Sequence, residues 1–421
     1  MSDEKRAERS PHGTSQGGQT PDGSHSFRTR AVHASNGRED QARPLTTPIY
    51  QGSVYAFEDA DHFVASFTAD PAEPTYSRSG LPNVRELEAV LASLEGGEAA
   101  AGASSGMAAI ALTLLAHLDA GDHLVVSADC YTDTRALIEE ELSRFGVEAS
   151  FVDTCSPASL EGALTPRTRM VWVETISNPA MKLCDLNRLA AITHAQGTLL
   201  CVDNTFATPA LCRPLEHGAD LVVHSATKFL GGHHDLTAGV VVGRQHHIER
   251  IRCCGYLFGP TLGAMDAWLA LRGIHTLAPR MAWISETAAE VAEFLSLHPA
   301  VTAVRYPGLP GGSQDELAKR LLPDGAGGML AFDVAGGKAT SDAVLRRLWM
   351  IPYAPSLGGT TTTASYPPGH HGGGPHRSGA TIRLSVGLEA ARDIIADLDQ
   401  ALLAAMLPVE HATVASMGAA S

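Results

Sequence analysis

The chain of 421 residues lacks a long apolar run, an excess of basic residues and a paired-cysteine motif. A membrane-spanning helix needs about 20 mostly apolar residues in succession, and because no stretch approaches that length we expect no membrane span. The N-terminus has no apolar core of the kind that a secretory signal carries. With 46 Asp and Glu against 31 Lys and Arg, the formal net charge is −15, which argues against a nucleic-acid binder with a basic face.

The seven cysteines are scattered and show neither a CxxC pair nor the spacing of a zinc site. An odd number without a framework is typical of reduced thiols that serve as small core residues. We therefore expect a cytoplasmic protein without structural disulfides. Its 44% of hydrophobic residues suffices for a large core, which excludes a chain that is disordered throughout.

Short apolar runs alternate with helix-length segments between residues 108 and 243. This order is typical of an α/β protein with a parallel, doubly wound sheet that helices cover on both faces. The last run follows its predecessor too closely for a helical crossover and could be antiparallel. The predicted strands are 123–129, 169–175, 198–206, 219–226 and 238–243, and the predicted helices are 108–117, 135–145 and 185–196.

The pattern changes after about residue 275. The apolar runs 328–334 and 380–387 predict half-buried strands, and the segments 284–297 and 390–406 predict helices. Between the two strands, residues 358–379 are dense in Gly, Thr, Pro and His, which predicts a long loop of the kind that is often functional. This part of the chain therefore favours a smaller α+β domain.

Four polar side chains follow the predicted strands of the first part: Tyr131, Asn178, Asp203 and Lys228. In open parallel sheets, ligands gather beyond the carboxyl ends of the strands, so we expect these four groups to share one site. They offer a phenol, an amide, a carboxylate and an amine. The segment 104–107 precedes a helix and offers backbone N–H groups to an anion.

One cofactor, pyridoxal 5'-phosphate, would use all of these groups. It needs a lysine for a Schiff base, a carboxylate at its pyridine nitrogen, an aromatic face against its ring and a cradle for its phosphate. The carboxylate keeps the ring nitrogen protonated, so that the ring can accept electrons from a carbanion. Each feature alone is weak evidence, but their occurrence together at the strand ends of one chain favours this cofactor.

The chain resembles the Cys/Met-metabolism (trans-sulfuration) family of pyridoxal phosphate enzymes, which includes cystathionine γ-synthase, the cystathionine lyases and methionine γ-lyase. The resemblance covers roughly residues 27–407, and its most specific segment is HSATKFLGGHHD at 224–235. It implies a fold-type I PLP-dependent transferase, with a mostly parallel seven-stranded sheet in a large domain and a smaller C-terminal α+β domain. The other matching segments are TRAVHA (29–34), TPIYQGSVYAF (47–57), YSRSGLPNVRELE (76–88), SSGMAAI (104–110), VDNTFATP (202–209), WLALRGIHTLAPRM (268–281), YPGLP (306–310) and IRLSVGLE (382–389).

The resemblance also assigns roles to single residues. Lys228 would form the Schiff base and carry protons between carbon centres, and Asp203 would pair with the ring nitrogen. Tyr131 would stack on the ring and is a candidate proton donor near the leaving group. Arg383 would hold the substrate α-carboxylate, which suits its planar fork, with Ser356 beside it. The set implied for cofactor binding is Ser105, Gly106, Met107, Tyr131, Asn178, Asp203, Ser225, Thr227, Lys228, Tyr76 and Arg78.

Within that set, Tyr76 and Arg78 match a pair that reaches the phosphate of a neighbouring subunit. This implies a homodimer with shared active sites, and the family is usually tetrameric. No metal is expected, because the cluster of His370, His371 and His376 has no carboxylate support. The resulting division is a disordered arm at 1–26, a segment contacting the neighbouring subunit at 27–75, a large domain at 76–275, a C-terminal domain at 276–409 and a tail at 410–421.

Three positions depart from the family pattern. Pro355 stands just before the SLGG segment, where the cystathionine enzymes usually have Glu, and this weakens the case for cystathionine as substrate. Asp133 lies in the tripeptide after Tyr131, where Gly-Gly-Thr is usual, and puts a carboxylate near the leaving-group side. The loop at 357–380 is shorter than usual, and within it Thr361 replaces a common Glu.

The resemblance implies γ-elimination or γ-replacement on a methionine-, homocysteine- or homoserine-derived amino acid through a vinylglycine-type intermediate. A C–S lyase and a γ-synthase share the early steps, so the motifs do not separate them. Three alternatives stay open at this point. They are a specialised enzyme with a sulfonium leaving group such as that of S-adenosylmethionine, a cystathionine β-lyase, and an inactive relative that serves as a binding protein.

Overall fold

The computed structural model describes residues 26–32, 44–67, 74–367 and 381–406. The expected arm at 1–26, apart from its last residue, and the expected tail at 410–421 lie outside these ranges. So do His370, His371 and His376 and most of the shortened loop. No helix within the described ranges is long and apolar enough to cross a membrane.

A seven-stranded sheet forms the centre of the larger part of the molecule, in the order β1-β7-β6-β5-β4-β2-β3. Only β7 runs against its neighbours, as its short connection predicted. The carboxyl ends of the other six strands therefore lie at one edge. The strands are β1 (Ala99–Ala103), β2 (His123–Ser127), β3 (Glu148–Val152), β4 (Thr168–Glu174), β5 (Leu199–Asp203), β6 (Leu221–Ser225) and β7 (Gly239–Gly243).

Helices cover both faces of this sheet, and the alternation of side chains along a strand separates two cores. In β4, Val171 and Val173 pack on one side and Met170 and Trp172 on the other, and all four are fully buried. The helices are α1 (Phe27–Val32), α2 (Ala60–Ser66), α3 (Pro82–Glu95), α4 (Gly106–His117), α5 (Thr132–Ala136), α6 (Pro157–Ala163), α7 (Leu186–His194), α8 (Thr208–Leu211), α9 (Gln245–Phe258), α10 (Ala264–Ile274) and α11 (Leu277–Leu297).

Strands β1 and β3 did not appear among the sequence patterns. The residues of β1 are AAAGA, and alanine has little intrinsic preference for strands; β1 forms because it pairs with β7 and packs beneath α3. The helix predicted at 135–145 is also irregular. After α5 the chain widens into a π-helical turn at Leu137–Glu141 and tightens into a 3₁₀ turn at Leu142–Phe145, which ends at Gly146 with φ +82°.

The C-terminal part contains a second, antiparallel sheet in the order β10-β11-β9-β8. Its strands are β8 (Val301–Arg305), β9 (Met329–Val334), β10 (Thr363–Ser365) and β11 (Thr381–Ser385), and its helices are α12 (Asp315–Leu321), α13 (Gly337–Arg347) and α14 (Ala391–Met406). The fold class is therefore the expected one. The boundary near residue 275 stays a prediction, which limited proteolysis can test.

Two predictions for this part were wrong. Strands β9 and β11 are buried almost throughout, not half-buried, because α11 packs against β9 and α13 against both strands. The stretch 358–379 is not entirely loop, since β10 lies within it and pairs with β11. A three-residue strand in a Thr-rich segment depends on its partner strand for its hydrogen bonds, so the local pattern does not reveal it.

Candidate active site

An anion cradle lies where α4 begins. Ser105 is in extended conformation, and its Oγ caps the helix by accepting from the Ala108 N–H at 3.1 Å. The amides of Gly106 and Met107 open the helix and have no acceptor within it, so they suit an anion at the positive end of the helix dipole. A Cβ on Gly106 would lie 2.6 Å from the Cβ of Ser225, so only glycine permits this approach.

The end of β6 completes the cradle and connects it with the end of β5. Thr205 is the link: its Oγ1 accepts from the Ser225 N–H at 2.9 Å, and its N–H donates to Asp203 Oδ1 at 2.9 Å. Thr227 is fixed across the following turn, because its Oγ1 accepts from the Ala238 N–H at 3.0 Å. Thr205 was missed at the sequence level, although its place two residues after a strand was a usable signal.

Two carboxylates, Glu174 and Asp203, lie at facing positions on β4 and β5. Burial raises the pKa of both carboxyl groups, and the negative charge of Asp203 raises that of Glu174 further. The N–H of Thr205 and the nearby His224 only partly offset this at Asp203. Neither carboxylate forms an ion pair with lysine or arginine in the described ranges, so the strand ends present negative charge without a fixed counter-charge.

Glu174 holds two site segments together, a role that the sequence analysis did not assign. Its Oε1 accepts from the backbone N–H of Tyr131 at 2.6 Å, and its Oε2 accepts from the backbone N–H of Asn178 at 2.8 Å. The side chain is buried, with 5% of the residue exposed. The position at the end of an apolar strand was a signal, but which amides it binds depends on how loops from β2 and β4 meet.

The Tyr131 hydroxyl donates to Asp133 Oδ2 at 2.6 Å. Burial and this carboxylate raise the pKa of the phenol, while the charge of Arg383 acts in the opposite direction. The departure from the family pattern at position 133 therefore acts directly on the ring that is expected to face the cofactor. At neutral pH the phenol keeps its proton and shares it with the carboxylate.

The amine of Lys228 lies beside Ser356, whose Oγ accepts from Nζ at 3.1 Å. Burial lowers the pKa of this amine, and the positive charge of Arg383 lowers it further. The SLGG segment reaches the lysine closely because Gly358, at φ +78°, has no side chain. A Cβ there would lie 2.6 Å from the backbone nitrogen of Phe229.

Arg383 projects from β11 and is only 2% exposed. Its hydrogen bonds go to neutral oxygens: Asn178 Oδ1 at 3.1 Å, the Pro355 carbonyl at 2.7 Å and Ser365 Oγ at 3.4 Å. Burial lowers the pKa of the guanidinium to about 10, so it stays charged at neutral pH. Because no carboxylate in the described part of the chain neutralises it, the site holds a buried cation suited to a ligand carboxylate.

Two of the expected residues do not join this site within one chain. Met107 contributes its backbone N–H to the cradle, while its half-buried side chain packs against the core beneath α4. Tyr76 and Arg78 lie elsewhere in the same chain: the Arg78 guanidinium lies 4.2 Å from the centre of the Tyr256 ring and donates to the Tyr256 carbonyl at 3.1 Å. Arg78 lines a cavity of about 1070 Å³ that does not include Lys228.

The remaining groups fit pyridoxal phosphate. The uncompensated carboxylate of Asp203 suits a protonated ring nitrogen, and the open amides of α4, together with the glycine-only contact at Ser225, suit a phosphate. The half-buried amine of Lys228 has the lowered pKa that favours Schiff-base formation. Fold and site together define a fold-type I pyridoxal phosphate enzyme.

Comparison with known proteins leads to the same class. The sequence model of the family described as "Cys/Met metabolism PLP-dependent enzyme" matches residues 28–403. The chain belongs to this family, and its cofactor is pyridoxal phosphate. It is 43% identical to an L-methionine gamma-lyase from Porphyromonas gingivalis over 389 residues, which are 89% of this chain and 96% of that protein.

Two further relatives match nearly the whole described chain. A cystathionine gamma-synthase from Mycobacterium bovis is 37% identical over 384 residues, which are 89% of this chain and 96% of that protein. The crystal structure of MetB from Corynebacterium glutamicum superimposes with a TM-score of 0.85 at 34% identity, covering 90% of this chain and 98% of that one. The sequence-based assignments of fold, family and cofactor are thereby confirmed.

Proposed function

We propose that this enzyme catalyses γ-elimination, with γ-replacement as the outcome when a nucleophile is present, on a sulfur amino acid of the methionine or homocysteine type. The observation that carries the proposal is the buried, uncompensated guanidinium of Arg383 in the same site as the half-buried amine of Lys228. One group binds an amino-acid carboxylate and the other moves protons on the carbon next to it.

The cofactor supplies an electron sink for the charge that develops on the substrate carbons. Lys228 moves the protons: with its pKa lowered by burial, Nζ takes a proton from the substrate α-carbon and transfers protons along the carbon chain. Ser356 keeps the amine in place through the 3.1 Å hydrogen bond. The lowered pKa gives Lys228 a suitable basicity for these proton transfers, and the hydrogen bond to Ser356 fixes its position.

Arg383 orients the substrate. Its fork donates to both oxygens of the α-carboxylate in a bidentate arrangement, and Asn178 Oδ1 fixes the plane of the guanidinium from one side. Glu174 in turn fixes Asn178 by accepting from the Asn178 backbone N–H. The orientation of the carboxylate therefore depends on a chain of buried hydrogen bonds that begins at the end of β4.

Tyr131 supplies the proton for the departing sulfur. Its hydroxyl stays protonated because burial and Asp133 raise the pKa of the phenol. A thiolate leaves more readily when it is protonated as the C–S bond breaks. Asp133 holds this hydroxyl at 2.6 Å, which fixes the direction from which the proton is delivered.

Pro355 supports a substrate with an uncharged far end. It contributes only a backbone carbonyl, which accepts from Arg383, and no side-chain charge that could meet the distal ammonium group of cystathionine. The similarity to a methionine gamma-lyase points in the same direction. Methionine and homocysteine, whose far ends carry no charge, satisfy both observations.

A substrate panel tests the proposal. The holoenzyme is incubated with methionine, homocysteine, cystathionine, O-acetylhomoserine and S-adenosylmethionine, with and without an added thiol, and products are identified by mass spectrometry. We expect 2-oxobutanoate and ammonia from both methionine and homocysteine, with methanethiol released from methionine and hydrogen sulfide from homocysteine, and a γ-exchanged amino acid when thiol is added. Pyruvate as the main oxo acid, or turnover of the sulfonium substrate alone, would overturn the proposal.

The proposal includes a homodimer with shared active sites, assembled further into a tetramer. Several large apolar side chains near Arg78 and in the N-terminal segment are exposed, including Val54, Phe67, Leu257 and Phe258 at 62–79%. Apolar surface of this extent is typical of a subunit interface. Light scattering, and the loss of cofactor affinity in Arg78→Ala with retention of folding, would test it.

We also propose that the protein resides in a reducing compartment such as the cytoplasm. All seven cysteines are free thiols, and none of them is needed as a disulfide to hold the fold. Cell fractionation with an antibody against the chain would test this location.

A further inference from the structure

Two cysteines that the catalytic scheme does not use lie in contact. Cys155 follows β3 and Cys184 precedes α7, and their sulfur atoms are 3.7 Å apart. Cys155 is half-buried, whereas Cys184 is only 2% exposed. The two thiols come from loops that are 29 residues apart in the sequence, so their contact is a product of the fold and not of a local motif.

The surroundings give the two sulfurs different chemistry. The hydrogen bond from Cys184 lowers the pKa of the Cys155 thiol and outweighs burial and the charge of Asp153, which raise it; the charge of Lys182 lowers it slightly. The same contact, together with burial, raises the pKa of Cys184 well above its ordinary value. Cys155, the more exposed cysteine, is therefore the better nucleophile. Cys184 keeps its proton until Cys155 has formed a mixed disulfide that Cys184 can attack.

We propose that Cys155 and Cys184 form a thiol–disulfide exchange site for low-molecular-weight disulfides. The Cys155 thiolate attacks one sulfur of the small disulfide, the S–S bond breaks, and one small thiolate leaves with the bonding electron pair. Cys184 then loses its proton and attacks the Cys155 sulfur, expelling the second small thiolate. The protein gains one disulfide, the small disulfide is reduced to two thiols, and no other oxidant is required.

The geometry allows this bond with limited movement. A disulfide joins its sulfurs at about 2.05 Å, so the two atoms must approach by roughly 1.7 Å. The contacts that hold them apart are weak: Cys155 donates to the Leu183 carbonyl at 3.3 Å, and Thr154 Oγ1 lies 3.3 Å from the Cys184 sulfur. Neither contact involves a charged partner.

The two cysteines are linked to the active site by the backbone segment that contains Asn178. Cys184 ends a tight segment that begins with the bridge between Ile176 and Leu183 and contains Asn178. Because Asn178 Oδ1 holds the Arg383 guanidinium at 3.1 Å, a displacement of this segment disturbs the group that binds the substrate carboxylate. This consequence rests on the proposed function, and it predicts that oxidation raises KM more than it lowers kcat.

Peptide mapping of the holoenzyme tests the exchange site without using activity. The enzyme is treated with glutathione disulfide, free thiols are blocked, and non-reduced digests are examined by mass spectrometry. We expect the peptides of Cys155 and Cys184 linked to each other with the loss of two hydrogens. In Cys184→Ser the reaction should stop at one glutathione on Cys155, and in Cys155→Ser the thiol at 184 should stay unmodified.

Cys253→Ser serves as the matched control, because Cys253 is exposed and lies in α9, away from the pair; the 155–184 linkage should form in it as in the unmodified chain. Absence of the linkage in the unmodified chain, or modification at Cys184 when Cys155 is replaced, would overturn the proposal. A linkage that forms with KM unchanged would confirm the exchange site and refute its coupling to Asn178. An enzyme that is inactive on every substrate but still forms the linkage would refute the proposed function alone.

Discussion

Replacing Glu174 by Gln should lower both the free energy of unfolding and kcat/KM. The carboxylate accepts from two backbone amides, those of Tyr131 and Asn178, one on each oxygen. Glutamine has the same shape but only one acceptor oxygen, so its amide group must face one of the two N–H groups. That N–H is left buried without an acceptor, which costs about 1–3 kcal/mol.

The same cost sets the size of the kinetic effect. Since about 1.4 kcal/mol corresponds to a factor of ten, kcat/KM should fall by roughly 5- to 150-fold if the whole penalty is felt at the site. If Tyr131 loses its anchor, kcat should fall, whereas loss of the Asn178 anchor should raise KM by loosening Arg383. The visible absorbance of the bound cofactor should shift in either case, because the ring contacts change.

Asp397→Asn provides the matched control. Asp397 is also buried and also accepts from backbone amides, those of Trp349, Met350 and Ile351, at 2.8–2.9 Å. It should lose similar unfolding free energy in chemical denaturation while keeping its absorbance spectrum and kcat/KM. If Glu174→Gln kept the kcat/KM of the unmodified enzyme at a comparable loss of stability, the positioning role of Glu174 would be refuted.

Three further changes test other parts of the site, and a pH series tests the control residue Asp397. Lys228→Ala should prevent borohydride from fixing the cofactor to the chain, as mass spectrometry would show; fixation that persists would exclude this lysine. Gly106→Ala places a Cβ 2.6 Å from Ser225 and should cost about 1–3 kcal/mol of packing, so the cofactor Kd from absorbance titration should rise. Asp133→Asn removes a charge that, together with burial, raises the pKa of Tyr131, while Glu174 and Arg383 still act on the phenol. The basic limb of the kcat/KM profile should therefore move to lower pH. An unchanged limb would contradict this. At Asp397, three backbone N–H donors outweigh burial and lower the pKa of the carboxyl group. The stability that the carboxylate contributes is therefore present above the ordinary pKa of Asp and is lost as the pH falls through the pKa of the folded state. The difference in unfolding free energy between the unmodified chain and Asp397→Asn should shrink in acid.

The sequence predicted the elements whose pattern is local. The apolar runs that became β2, β4, β5, β6 and β7 are long enough to show their period, and the polar residues that follow them could be placed at one edge by the rule for parallel strands. The partners in space were not predictable from pattern. Thr205 and Glu174 act through backbone amides of other loops, and no periodicity indicates which amide a carboxylate will meet.

The expected roles of Tyr76 and Arg78 show a different limit. In a single chain the Arg78 guanidinium lies over the rings of Tyr76 and Tyr256 and lines a cavity that does not include Lys228. We propose that a second chain covers the exposed apolar surface around them. Arg78, whose hydrogen-bond partner is a neutral carbonyl, would bind a phosphate there. Arg383 shares this feature within one chain, because it is a buried cation whose hydrogen-bond partners are neutral. Both arginines donate to neutral oxygens among the described residues. We propose that this shared feature, more than any single motif, marks where the anionic groups of the cofactor and the substrate bind.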